Sequence, residues 1–226
     1  MVSHNRKKQR RIGIFQPSQK IVIFCEGTET EVNYFSRFKE IISSNPIYKH
    51  SIEVEVVGLG VGTLQVIQAA EDYVKQNSLE GANIWCVYDK DDFPGKDFNS
   101  AEEKTKKLNE TSLNRFSSAW SNQCIEYWFI LHFDYYTSDN HRSEYISYLD
   151  SKFRKLDIGK YSKSDEHIFE KLLEYGNPKQ AIKFACKRMR ECTLLSPSKS
   201  APATKVHLLV LELSKYLPEE MRVYFI

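Results

Sequence analysis

Ile21-Val22-Ile23-Phe24-Cys25-Glu26-Gly27 is answered further along the chain by Ile84-Trp85-Cys86-Val87-Tyr88-Asp89-Lys90-Asp91-Asp92. Each is an apolar run of strand length that stops abruptly at carboxylates. Continuous apolar character fits a strand buried on both faces, the habit of parallel sheets. In an open α/β sheet the carboxyl ends of the strands form the ligand crevice. Two such strands side by side would gather Glu26, Asp89 and Asp91 around one point. Acidic oxygens crowded in this way repel one another unless a hard divalent cation lies between them. The pattern reads as a Mg2+ site, with Mn2+ able to substitute, and Mg2+ held by few carboxylates commonly serves phosphate chemistry.

The neighbouring sequence completes a β-α-β-α-β unit. Thr28-x-x-Glu31 has the form of a capping box and opens a helix carrying Val32, Phe35 and Phe38, which ends near Ser43–Pro46. Ile52–Val57 alternates apolar and acidic residues, as a strand with one solvated face does. Gly58-x-Gly-x-Gly62 leads into a helix from Thr63 to about Gln76. This order predicts a parallel sheet with right-handed crossovers. The glycine run lacks the later Gly of a dinucleotide fingerprint and reads as a flexible turn. Beyond Asp92, a charged helix is expected near Ala101–Asn109 and a fourth strand within Asn114–Trp120. The remaining hundred residues read as mainly helical.

Each acid also has a plain structural reading. Glu26 precedes a helix N-terminus, whose dipole it complements. Asp89 and Asp91 project together at a strand end and can simply close a polar turn before Pro94-Gly95. A Glu after the first strand and Asp-x-Asp after the third, within one parallel unit, is more specific than either alone. Asp92 is a possible third ligand. In Asn122–Phe133, read as a helix, Glu126 and His132 stand about 120° off a common face. They are candidates for orienting a phosphate; the alternative is a buried pair satisfying each other or the backbone. Glu126 is the stronger of the two, because an unpaired carboxylate among Ile125, Tyr127 and Trp128 is costly to bury.

Charge is distributed unevenly. Arg6, Lys7, Lys8, Arg10, Arg11 and Lys20 precede any acid, leaving 26 Lys and Arg against 30 Asp and Glu in the body. A basic arm over 1–18 suits a polyanion, and equally suits a solvated tail. Lys183, Lys187 and Arg190 recur at helical spacing and offer either a phosphate-tracking face or an ordinary solvated one. Five scattered cysteines without a C-x-x-C pair argue against a zinc ribbon and for a reduced, cytoplasmic protein. Neither a membrane span nor a signal peptide is expected.

Glu in a Glu-Gly turn followed by Asp-x-Asp two crossovers later resembles the TOPRIM domain of topoisomerases, primases and several nucleases. A closer resemblance, over nearly the whole chain, is to the RloB-like (AbiLii-like) family associated with restriction loci and phage defence. It rests on Phe24-Cys-Glu-Gly-Thr-Glu-Thr-Glu-Val-Asn-Tyr-Phe35, Val87-Tyr-Asp-Lys-Asp-Asp-Phe93, Ile125-Glu-Tyr-Trp-Phe-Ile-Leu-His-Phe133 and Thr204-Lys-Val-His-Leu-Leu-Val210. Tyr161 and Lys163 stand where that family often has Tyr-x-Lys. The resemblance implies a TOPRIM-like parallel sheet flanked by helices over 19–135, with a helical extension over 136–226 packed on it. It also implies Glu26 as general acid/base or ligand, and Asp89 and Asp91 as Mg2+ ligands. The implied activity is a metal-dependent nuclease acting on DNA or RNA in anti-phage defence, as a homodimer or with another defence protein. The rival class is a non-catalytic adaptor that binds nucleic acid or a partner.

Overall fold

The structure is a computed structural model describing residues 19–226. The arm with Arg6, Lys7, Lys8, Arg10 and Arg11 lies outside the described residues. Four parallel strands form the main sheet in the order β2-β1-β3-β4: β1 (Gln19–Cys25), β2 (Ile52–Gly58), β3 (Asn83–Val87) and β4 (Arg115–Ser118). Helices α1 (Thr30–Ser44), α2 (Thr63–Gln76) and α3 (Gly95–Thr111) make the crossovers. Strand β1 is central, with Ile23 beside both Val56 of β2 and Trp85 of β3.

Burial follows the two-residue period of the strands. Ile21, Ile23 and Cys25, with Trp85 and Val87, face the core formed with α1. Val22 and Phe24, with Ile84 and Cys86, face the core formed with α2 and α3. The chain leaves β1 over one face toward β2 and leaves β3 over the other toward β4. The carboxyl ends of β1 and β3 therefore meet at the switch point of the sheet, where such folds hold ligands.

A two-stranded antiparallel ribbon joins β5 (Ser121–Asn122) to β6 (Ala203–Thr204). The second half adds α4 (Glu126–Ile130), α5 (Arg142–Lys155), α6 (Ile168–Tyr175), α7 (Pro178–Glu191), α8 (Val206–Ser214) and the short α9 (Glu219–Arg222). Phe153, Leu172, Ala185 and Leu209 from these helices join the same buried cluster as Ile21 and Phe38. One apolar core thus continues from the sheet into the helical half. The indole N–H of Trp128 donates to the Tyr34 hydroxyl at 3.1 Å and ties α4 to α1.

Three expectations need correction. Helix α1 starts at Thr30, with Glu29 at the cap position and no side-chain cap bond, so Thr28 and Glu31 form no capping box. The Glu31 carboxylate instead folds over Gly27, where a β-carbon would overlap its Oε2. Helix α3 begins at Gly95 behind Pro94, six residues before the expected start, since Pro94 presets the backbone for entry. The segment 122–133 is a strand end followed by the five-residue α4, not one helix. Among the described residues no helix is long and apolar enough to cross a membrane. All five cysteines are free thiols.

Candidate functional site

Glu26 follows β1 directly, and its backbone N–H donates to the Val87 carbonyl at 2.9 Å. Its Oε2 accepts from the Asp89 N–H at 2.9 Å, and its Oε1 from the Thr63 hydroxyl at 3.4 Å. The first acid is thereby fastened to the strand that carries the other two. The glycine run serves this placement. Gly60, at φ +64°, donates its N–H to the Glu26 carbonyl at 2.9 Å. A β-carbon on Gly58 would lie 2.8 Å from Val32 Cγ2 and 3.0 Å from the Gly27 carbonyl. Only a chain without side chains there lets α2 bring Thr63 against Glu26.

Beyond β3 the backbone continues to pair with residues 121–123. The Lys90 N–H donates to Ser121 O and the Asp91 N–H to Gln123 O, both at 2.9 Å. Asp89 Oδ2 accepts from the Ile125 N–H at 3.0 Å, while its Oδ1 is buried without a hydrogen-bond partner. Asp91 sits at φ +40°, a region sparsely used by side-chain-bearing residues and concentrated at functional sites. Its Oδ1 is likewise buried and unpartnered.

Glu126 is the first residue of α4 and is completely buried. Its Oε1 accepts from the Tyr161 hydroxyl at 3.0 Å and stands 3.5 Å from Lys163 Nζ; its Oε2 has no partner. The Lys163 carbonyl accepts from the Thr30 hydroxyl at 3.0 Å, which pins this segment to the start of α1. Glu26, Glu31, Asp89, Asp91, Phe93 and Lys163 line a crevice of about 340 Å3. A larger groove of about 790 Å3 runs beside Asn45 and Pro218, but its Glu40 is already paired with Arg37 at 2.7 Å. The smaller crevice is the one that gathers the acids that follow β1 and β3.

The electrostatics are those of acids crowded without enough counter-charge. Burial, then the fields of Asp91 and Glu31, push the Glu26 carboxyl up to about 7. Burial and Glu126 push Glu31 to about 6. Burial and the surrounding Glu31, Asp91, Glu126 and Glu26 raise Asp89 well above the carboxylate range. Burial also raises Asp91, against the lowering field of Arg142. Burial opposes the charge on Lys163, yet Glu126 and its neighbours carry that ammonium above the ordinary lysine value. Among the described residues no ion pair reaches Glu26, Glu31 or Asp89.

These orphaned oxygens fit a hard cation. Among the described residues no three His, Cys, Asp or Glu side chains stand as a set able to hold a metal ion by themselves. Mg2+ does not need one, since it is held by one or two carboxylates with water and phosphate completing its shell.

The remaining candidates lie elsewhere. Asp92 is exposed and pairs with Arg142 at 3.4 Å and His141 at 3.5 Å. His132 is not paired with Glu126. Its Nδ1 meets the Trp128 carbonyl at 3.0 Å, its ring packs edge-on against Trp128, and burial lowers it to about 4, which keeps it neutral. Lys187 lies over the Tyr135 ring at 4.1 Å, next to Glu191, and does not line the crevice. Sequence reasoning missed two residues. Glu31 was assigned to a helix cap, and Arg142, whose Nη1 is 2.7 Å from Asp91 Oδ2, gave no local signal.

No curated protein and no solved structure matches this chain. A family model described as RloB-like protein matches residues 21–213. That match runs from β1 through α8 and takes in every acid of the crevice, so the chain belongs to the RloB-like family.

Proposed function

We propose that this protein is a Mg2+-dependent nuclease of TOPRIM type that hydrolyses phosphodiester bonds of DNA or RNA, and that it serves anti-phage defence. The observation that carries the proposal is the convergence of unpartnered buried oxygens on Asp89, Asp91 and Glu126 beside Glu26, at the switch point of a parallel sheet. Asp89 Oδ1 or Asp91 Oδ1 would hold the ion, with water and phosphate completing its shell and Glu26 beside it. A bound Mg2+ supplies positive charge at the scissile phosphate and makes water there more acidic. Burial and the neighbouring acids raise Glu26 in the ion-free crevice, which makes it the group there suited to take and return a proton as a general acid/base. Thr63 and the Asp89 N–H fix the direction of that carboxylate. Lys163 lines the crevice and Arg142 pairs with Asp91 at its edge, and both would meet an arriving phosphate.

The purified chain is to be incubated with labelled DNA, tRNA and total RNA in Mg2+, Mn2+ or EDTA. Cleavage of one polymer class that EDTA abolishes is expected. Uncut polymers that nevertheless bind would favour the adaptor reading, whose support is that no ready-made ligand set exists among the described residues.

Glu26 lies at the carboxyl end of β1 and Gln19 at its amino end, roughly 20 Å away at the rise of a strand. The basic arm joins the sheet at that far end, so its phosphate contacts would add to those at the crevice. Deleting residues 1–12 removes Arg6, Lys7, Lys8, Arg10 and Arg11. It is expected to weaken binding and to flatten its salt dependence by roughly 0.7–0.9 in log–log slope per lost contact. Filter binding across a salt series checks this; an unchanged slope would take the arm out of the interface.

A further inference from the structure

We propose that Arg142 is a built-in counter-ion of the acid crevice, holding Asp91 and Asp92 while no divalent ion is bound and passing to a substrate phosphate once one is. The inference rests on the metal-site reading above and adds how that site is kept at rest. One guanidinium spans both acids with different nitrogens, Nη1 at 2.7 Å from Asp91 Oδ2 and Nη2 at 3.4 Å from Asp92 Oδ2. His141, the residue before it, caps α5 by accepting from the Ser143 N–H and reaches Asp92 with its other ring nitrogen at 3.5 Å. The cap and the first residue of α5 therefore grip the loop that carries the Asp-x-Asp pair.

The grip is one-sided. Asp91 Oδ2 is engaged while its Oδ1 is buried and unpartnered. Deeper in the crevice Asp89 has no cationic partner among the described residues. A dication entering there would meet the positive charge of Arg142 and compete with it for Asp91. Arg142 is itself over a third exposed, so its pairing is screened and readily exchanged. A guanidinium cannot shed its proton, so it can leave the carboxylates only by moving. Its planar fork of donors matches phosphate oxygens as well as it matches carboxylates. The acceptor it gains on loading would be the phosphate brought to the ion.

The test is Mn2+ binding by the full chain, followed calorimetrically with no nucleic acid present, for wild type, Arg142→Gln, Arg142→Lys and Asp89→Asn. Arg142→Gln is expected to bind Mn2+ about 1.5- to 5-fold more tightly, the range that loss of a screened ion pair allows. Arg142→Lys keeps the charge and is expected to fall between the two. The same Arg142→Gln chain is expected to bind a fluorescein-labelled single-stranded oligonucleotide in Ca2+ at least several-fold more weakly. Opposite signs for the ion and the polymer separate exchange from damage to the fold, which would weaken both. Mn2+ affinity that is unchanged or lower in Arg142→Gln, while Asp89→Asn abolishes binding, overturns the exchange alone. An isotherm that Asp89→Asn leaves unaltered overturns the metal site and the exchange together.

Discussion

Asp89→Asn is expected to cut Mg2+-dependent strand cleavage by at least about 10^3-fold and, in EDTA, to make the chain more stable than wild type. The first effect follows from losing a ligand charge whose contribution at the phosphate is several kcal/mol. The second follows from what Asp89 endures without a cation. Its Oδ1 is buried and unpartnered, and four other carboxyl groups raise its pKa. An Asn keeps an oxygen for the Ile125 N–H and turns a donor toward the acids that crowd it. Relief of one buried unsatisfied polar group is worth about 1–3 kcal/mol. For a chain of this size each kcal/mol shifts Tm by about 2–4 °C. Cleavage assays and EDTA melts check both halves. A variant that melts well below wild type would mean that Asp89 is a structural residue.

Glu26→Gln is the second large effect, and pH exposes it. The Glu26 carboxyl titrates near 7 in the folded chain against about 4.5 ordinarily. Between those values the folded chain keeps a proton that the unfolded chain has lost, so raising the pH through this window costs stability. Below about 4.5 both states are protonated and there is no penalty; above about 7 the whole penalty is present. It amounts to at most about 3 kcal/mol, because burial is incomplete. The comparison must be made against Glu26→Gln, since His132 and His207 work in the opposite sense. Burial lowers both to about 4, so they remain neutral in the fold, and their contribution rises with pH up to about 6.5. In EDTA melts from pH 5 to pH 8, wild type is expected to fall progressively behind Glu26→Gln. Mg2+ is expected to raise Tm at pH 8 in wild type far more than in the variant. Parallel pH profiles would show that Glu26 carries no shifted proton.

The strands and their acids were legible in the sequence because buried parallel strands leave an unbroken apolar signature and the acids interrupt it. Ile21–Cys25 and Ile84–Tyr88 needed no tertiary information to be placed side by side. Glu31 was misread because Thr28-x-x-Glu31 satisfies a local rule that the Gly27 turn then overrides, starting α1 one residue later. A continuous helix over 122–133 set His132 about 120° away from Glu126, with satisfaction by the backbone as its plain alternative. The chain instead breaks between β5 and α4, and the imidazole turns to its own backbone. Arg142 was invisible for a different reason. A cation in the first turn of an amphipathic helix reads as solvated, and only the packing of α5 beside α4 brings it over the Asp91 loop.

The most direct measurement is an anomalous difference map from crystals soaked in Mn2+. A metal site in this crevice requires a peak about 2.1–2.3 Å from Asp89 Oδ1 or Asp91 Oδ1, with Glu26 on the same ion directly or through one water. It also requires the Arg142 guanidinium to have left Asp91. A crevice without a peak at saturating Mn2+, with Arg142 still on Asp91, would contradict it.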